Sequence, residues 1–421
     1  MDRNEPRPET PAYSAACSIE HFSSDALRPL IRELFPEEEA RGQDFPAGAE
    51  YRKHWEVAMA VRAFRDLGVL GPRARILGVG AGTERTLFHL TRHASEVVAT
   101  DLYLGAGAWE GDAPVLMLVS PQSCTRSDFD PQRLTVRHMD GRVLDFPAES
   151  FDGVFSSSSV EHFGADDEIA SAAYEMGRVL RPGGILTLAT ELLVMGPPGA
   201  TGWSGCRLFS EPDLRRLVVE ASGLELVGEL DLSVSPATLE TPRDLAAAVE
   251  GRQAGKGLAL PHVVVVNEGQ VFTSVQLTLR KTSAWPVRDN SWAAPSASLR
   301  ERVRREREET AARLVRALTI GAQGGRGTAG PLATSWPGTD AGPRVRDAFD
   351  AWDEVRARTA LSAPASGPAW RRGLGFAKRA AGRVRDLGVL WDRERDLLRA
   401  LIARVDDLES RLNEVSRRGG R

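Results

Sequence analysis

Residues 75–84 read Arg-Ile-Leu-Gly-Val-Gly-Ala-Gly-Thr-Glu, a short apolar run that breaks into alternate glycines. Arg75–Val79 predicts a buried strand, and Thr83–Thr91 predicts a helix directly after it. At Gly78, Gly80 and Gly82 the backbone can turn sharply and approach a ligand closely, while the N-terminus of the following helix favours negative charge. Alone, such a bend is also an ordinary tight turn, and it serves many nucleotides.

Upstream, Glu50–Leu67 places Tyr51, Trp55, Ala58, Met59, Arg62, Ala63 and Leu67 at helical spacing, so it should lie on a core. Downstream, strands are predicted at Glu96–Thr100, Leu134–His138 and Phe151–Phe155. An amphipathic helix, Asp166–Leu180, is stopped by Arg181-Pro182-Gly183-Gly184. A fifth strand follows at Ile185–Thr190, then a helix at Glu211–Ser222 with Pro212 suited to its first turn. Leu224–Val227 leads into a sixth strand, and Val271–Leu279 alternates like a seventh. Strand and helix alternate through 75–280, which predicts a doubly wound, mostly parallel α/β sheet.

The flanks differ. Residues 1–20 read as disordered, and Glu20–Leu70 as helical with breaks at Pro36 and Pro46. Beyond Thr282 come a charged helix at Leu299–Leu318, a Gly/Pro/Ser/Thr-rich linker at Gly321–Pro343 and a short helix at Val345–Thr359. From Val384 to Val415 the apolar positions Val384, Leu387, Trp391, Leu398, Leu401, Val405, Leu408, Leu412 and Val415 follow a heptad. The expected organisation is a flexible or helical segment over 1–48, a catalytic domain over 49–282, a helical and Gly/Pro-rich linker over 283–370, and a coiled-coil helix over 371–421.

Charge divides along the same line. There are 26 Lys+Arg against 40 Asp+Glu before residue 281, and 28 against 18 from there on. An acidic first unit argues against nucleic acid as its ligand, because phosphate neutralisation supplies most of that affinity. Cys17, Cys124 and Cys206 lie too far apart in sequence for a CxxC pair or a disulfide framework. No run approaches the ~18 apolar residues of a membrane span, and the polar start lacks a signal-peptide core, so a cytoplasmic protein is expected.

Further groups surround the glycine bend. Asp101, with Leu102 beside it, ends the second strand 19 residues beyond Gly82. At about that spacing an acid on the neighbouring strand end accepts from both ribose hydroxyls. Met139-Asp140-Gly141 ends the third strand, where a carboxylate reaches the outer edge of an adenine lying across the strand ends. A nicotinamide enzyme is served equally by the loop and Asp101, but it wants GxGxxG, and here the third glycine falls one place early at Gly82.

With Phe151-Asp152-Gly153-Val154-Phe155, Glu161-His162-Phe163 and Arg178-Val179-Leu180-Arg181-Pro182-Gly183-Gly184-Ile185-Leu186 added in order, residues 50–280 resemble the class I S-adenosylmethionine-dependent methyltransferases of the methyltransferase-domain subgroup. The resemblance implies a Rossmann-like seven-stranded sheet with six parallel strands and an antiparallel last strand. It implies that Gly78, Gly80 and Gly82 line the methionine end of S-adenosylmethionine, that Asp101 holds the ribose, that Asp140 and Gly141 hold the adenine, and that Ser156 and Ser157 border the sulfonium. Two positions depart from the pattern. The family commonly has an acid where Gly78 stands and a glycine where Glu84 stands, so Glu84 is expected to take part of the acid's role toward the methionine ammonium.

Methyl transfer to a hydroxyl needs positioning and a base. His162 is the candidate base, and capping of the next helix is its alternative role. Glu191 reads more readily as a strand-end carboxylate in water than as an acceptor contact. His89 and His93 stand at the metal-like i, i+4 spacing, but with no third ligand in view they read as a solvated helix face and no metal is expected. His54 and Trp55 fit either a roof over the cofactor or core packing. Trp203, Arg207, Phe209, Tyr103 and Trp109 fit either acceptor contacts or loop anchors. The wording of the motifs is most similar to bacterial methyltransferases associated with polysaccharide and glycan assembly, which implies O-methylation of a saccharide or glycan precursor. The alternatives are a lipid-like or small aromatic acceptor, or a non-catalytic adaptor. The heptads predict a homo-oligomer, and Arg371, Arg372, Lys378, Arg379, Arg383 and Arg385 with Trp370 and Phe376 form a basic amphipathic stretch suited to an anionic membrane surface or a partner.

Overall fold

The computed structural model describes residues 10–39, 42, 44–104, 113–118, 120–197, 206–253 and 258–324. One compact unit reaches Val303, and within it the elements are β1 (Ser14–Ala16), α1 (Arg28–Leu34), α2 (Pro36–Glu39), α3 (Arg52–Asp66), β2 (Gly71–Val79), α4 (Arg85–Leu90), β3 (Ala94–Asp101), β4 (Leu134–His138), β5 (Phe151–Ser157), α5 (Asp166–Val179) and β6 (Leu180–Met195). Next come α6 (Glu211–Asp213), which runs on into the π-helical turns Leu214–Glu220, then β7 (Glu225–Leu226), β8 (Leu230–Asp231), β9 (Pro242–Asp244), β10 (Val264–Asn267) and β11 (Gln270–Arg280). In the second unit, the described residues are chiefly the helix from Arg304 to Gly324, where Arg304 pairs with Glu308 at 2.6 Å across one turn. The heptads and basic stretch of 371–421 lie outside the described residues.

The sheet runs β4-β3-β2-β5-β6-β11, with β2 to β6 mutually parallel and β11 antiparallel to β6. This is the Rossmann-like α/β sheet that the alternation predicts. Alternate strand residues feed opposite faces. Leu77, Val79, Val98, Leu186 and Leu188 pack with Ile169, Met176 and Leu217 of α5 and the π-helical segment. Ile76, Val97, Ala99 and Ile185 pack with Phe64, Leu87 and Phe88 of α3 and α4. Helices therefore cover both faces, as buried parallel strands require.

Two expectations are corrected at the far edge. Residues 1–20 are not disordered throughout, because Ser14, Ala15 and Ala16 are buried as β1, antiparallel to β11 and parallel to β8. The sixth strand touches β11 only at Leu226 and Glu225, since β1 takes the remaining edge and displaces β8 outward. Three small residues leave no alternating pattern to read, yet they close an otherwise bare edge. The β10–β11 hairpin was also unread; its two-residue turn has Glu268 and Gly269 both at positive φ, 50° and 81°.

The C-terminus of α5 is held closely. Lys281 is buried, and its Nζ donates to the carbonyls of Leu180 (2.7 Å) and Gly177 (3.2 Å), which satisfies acceptors at the helix end. A Cβ at Gly177 would lie 2.1 Å from the Ser222 carbonyl oxygen. Gly177→Ala is therefore expected to destabilise the chain by about 2–3 kcal/mol, read as a lower midpoint in urea unfolding.

Candidate active site

The glycine bend is locked to the next strand. Gly80 and Gly82 take φ of 61° and 44°, conformations in which a side chain is strained. The Gly82 N–H donates to Asp101 Oδ2 at 2.8 Å and the Leu102 N–H to Oδ1 at 2.6 Å, so two backbone donors fix the plane of that carboxylate. Tyr103, which the sequence left as either an acceptor contact or a loop anchor, is buried and donates through its hydroxyl to the Gly82 carbonyl at 2.8 Å. It anchors the bend.

Gly78 explains the first departure from the family pattern. A Cβ there would meet Phe155 Cζ at 2.7 Å, so the Phe155 ring fills the space an acidic side chain would need. Glu84 occupies the N-cap of α4, directly after the bend. Gly141 is equally confined, with Phe163 and Val79 2.7 and 2.8 Å from a Cβ built on it. The Asp140 carboxylate accepts from Arg142, whose backbone N–H lies at 2.9 Å and whose Nη2 lies at 2.6 Å. Two residues of separation let Asp140 close a turn on itself, which the sequence reading did not weigh.

Near the end of β5, Ser156 is fully buried and its hydroxyl lacks a hydrogen-bond partner among the described residues. Ser157 is buried beside it. The hydroxyl of Ser159 donates to the Gly80 carbonyl, so the segment after β5 lies on the glycine bend. An oriented strand-end carboxylate, a bend confined to glycine and an orphaned buried hydroxyl fit a nucleoside cofactor with a polar tail.

The charged residues beyond the bend form one array. Glu191 does not end a strand in water: it lies inside β6 opposite Ser274 and is 4% exposed. Arg52 of α3 donates through Nη1 to both Glu191 carboxylate oxygens at 2.7 Å and to Ser274 Oγ at 2.8 Å. Lys53 reaches Glu56 Oε1 at 2.9 Å and Glu191 Oε1 at 3.3 Å, and it also contacts Ser158 Oγ. The Ser158 hydroxyl in turn donates to Glu56 at 2.8 Å. Ser158 sits at φ 48°, a strained setting for a residue with a side chain.

Glu161 and His162 follow in the turn Val160–His162, before α5 rather than on it. Thr190 donates to Glu161 Oε2 at 2.8 Å, while Oε1 is buried without a hydrogen-bond donor among the described residues and lies 4.0 Å from His162 Nε2. Cys206 adds a buried thiol, so carboxylate, imidazole and sulfur atoms lie within 4.8 Å of one another. Burial and the neighbouring Glu191 charge push Glu161 up to about 8. Burial opposes the charge of Glu191 as well, but Arg52 and Lys53 overcome it and hold that carboxyl down at about 2. Burial keeps His162 neutral, down at about 4. Two carboxyls side by side are thus split, one carrying its proton at neutral pH and one ionised.

Arg52, Lys53, Glu56 and Ser274 were missed in sequence. An i, i+4 Arg/Glu pair on a helix ordinarily marks a solvated face, and nothing local shows that this one is buried against β6 and β11. Of the other candidates, Trp55 is fully buried and donates to His21 Nδ1 at 3.2 Å, and His54 packs on Phe35, so both serve the core. Phe209 is buried and bridges to Leu192, while Arg207 pairs with Asp166 and Asp213. Trp109 and Trp203 lie outside the described residues.

Residues 77–188 match the family model described as a methyltransferase domain. Among solved structures, the chain is similar to the [4+2]-cyclase SpnF, at 21% identity and a TM-score of 0.38 over 54% of this chain and 80% of that one. It is similar to the 1,6-didemethyltoxoflavin-N1-methyltransferase of Burkholderia thailandensis, solved with S-adenosylhomocysteine, at 20% identity and a TM-score of 0.36 over 61% and 89%. It is also similar to the geranyl diphosphate C-methyltransferase of Streptomyces coelicolor A3(2), at 16% identity and 0.37 over 54% and 79%. No curated protein matches the chain. Residues 77–188 are therefore a methyltransferase domain, for which S-adenosylmethionine is the cofactor. No helix among the described residues is long and apolar enough to cross a membrane.

The Glu161 shift sets a pH dependence of stability. A carboxyl held at about 8 in the fold keeps a proton that the unfolded chain has already lost, so stability falls as pH rises toward 8. His162, ordinarily near 6.5, acts in the opposite sense below that value because the fold keeps it neutral. Between about pH 6.5 and 8, wild type is expected to lose up to about 2 kcal/mol relative to Glu161→Gln, measured by chemical denaturation of both.

Proposed function

We propose that this domain methylates an oxygen of a saccharide or glycan precursor, with His162 and Glu161 handling the hydroxyl proton. The supporting observation is the array that joins Lys53 and Glu56 of α3, Ser158, Glu161 and His162 after β5, and Glu191 within β6. Such a density of donors and acceptors suits a polyhydroxylated acceptor better than a terpenoid or aromatic one, which offers few groups to exchange hydrogen bonds with them.

When bound, S-adenosylmethionine supplies the methyl group through in-line displacement at carbon, with the C–S electron pair returning to sulfur. Asp101 would hold the ribose, and Gly78, Gly80 and Gly82 with Glu84 would receive the methionine end. Lys53 and Ser158 orient acceptor hydroxyls. Neutral His162 takes the proton as the new O–C bond forms, and Glu161, once ionised, stabilises the imidazolium beside it. Because Glu161 gives up its proton only near pH 8, turnover should rise with pH through that region.

Transfer of labelled methyl to nucleotide-sugars, oligosaccharides, prenyl compounds and phenols tests the acceptor class. Label in the saccharide fraction is expected; label confined to prenyl or phenolic products would refute the reading. His162→Ala should lower kcat by about 10²–10⁴-fold with little change in cofactor affinity, and Glu161→Gln should flatten the pH–rate profile. Asp101→Ala should weaken S-adenosylmethionine binding by about tenfold or more in calorimetry, the loss of a charged hydrogen-bond partner.

A further inference from the structure

A second polar cluster shares no residue with the array above. His89 of α4 is 6% exposed, and its Nε2 and that of His93 are both sealed from solvent without a hydrogen-bond partner among the described residues. The two rings face each other, 4.7 Å between centroids. Glu33 arrives from α1, so that one donor atom from each of Glu33, His89 and His93 lies within 4.8 Å of the others. The expected solvated helix face therefore buries His89, with His93 half-buried beside it, and its third ligand, the exposed Glu33, comes from 56 positions upstream of His89.

Two orphaned imidazole nitrogens at one spot carry a free-energy cost that apolar neighbours do not relieve. Burial lowers both histidines, His89 to about 4, so at neutral pH they are in the unprotonated form that binds metal. We propose that Glu33, His89 and His93 bind a divalent transition-metal ion of the zinc type, which clamps α1 against α4. Two imidazoles and a carboxylate are a donor set zinc accepts, with a position left for water. Arg65 holds Glu33 through Nη2 at 3.2 Å, and it becomes the outer partner that orients the ligating carboxylate. Arg65 and Arg92 also place positive charge nearby, which weakens the hold of the site on a cation. Since α4 opens directly after the glycine bend, the ion ties the N-terminal helices to the element that positions the cofactor loop.

The test uses the full chain, stripped with chelator and dialysed. Zn²⁺ is titrated by calorimetry, and Co²⁺ is followed by its visible absorption. One ion per chain at micromolar affinity is expected, with an upward shift in melting temperature. His89→Ala, His93→Ala and Glu33→Gln should each weaken binding by about tenfold or more, while Cys206→Ser leaves it unchanged. Melting curves without metal report whether each variant folds; should His89→Ala fail to fold, the other two carry the same reading. Absence of binding at about 1 mM Zn²⁺ would overturn the proposal. So would binding retained in His93→Ala and Glu33→Gln, or lost in Cys206→Ser, which would place the ion at Glu161, His162 and Cys206 instead.

Discussion

The contact between Arg52 and Glu191 governs the chemistry of this site. A guanidinium and a carboxylate taken out of water each cost several kcal/mol, and only close pairing with further hydrogen bonds offsets that. Here the pair spans from α3 to β6, and Ser274 of β11 supplies the extra acceptor. Because Arg52 and Lys53 hold Glu191 ionised, its negative charge bears on Glu161, which keeps its proton. Burial and the charge of this ion pair's carboxylate together keep Glu161 protonated, while burial alone outweighs Glu191 and keeps the neighbouring imidazole neutral.

The glycine bend depends on a different constraint, close approach. Gly78 is confined by Phe155, Gly80 by Ser159 and Gly141 by Phe163, so three strand ends and the segment after β5 meet with no room for side chains between them. The backbone N–H of Gly82 on the Asp101 carboxylate ties the bend after β2 to the end of β3. The acid common at position 78 in the family is incompatible with the ring of Phe155, which accounts for the departure by packing.

Much of the sheet was legible because its signal is local. Leu134–His138 was read to the residue, and Gly78, Gly80, Gly82 and Asp101 announce themselves by spacing. Illegible were β1, whose Ser-Ala-Ala has no pattern of its own, and the depth of α3, whose Arg52 and Glu56 look like surface residues. His89 and His93 were visible as a pair, yet they were read as solvated because nothing in their own helix indicates burial.

The order of the central strands and helices, the bend and the strand-end position of Asp101 were determined by sequence alone, since hydrophobic periodicity and glycine placement act over a few residues and survive any packing. Tertiary structure decided which charges are buried and which partners they keep. Glu191 meets Arg52 across 139 positions and His89 meets Glu33 across 56. Desolvation and Coulomb energy depend on distance through space, and separation along the chain does not encode it.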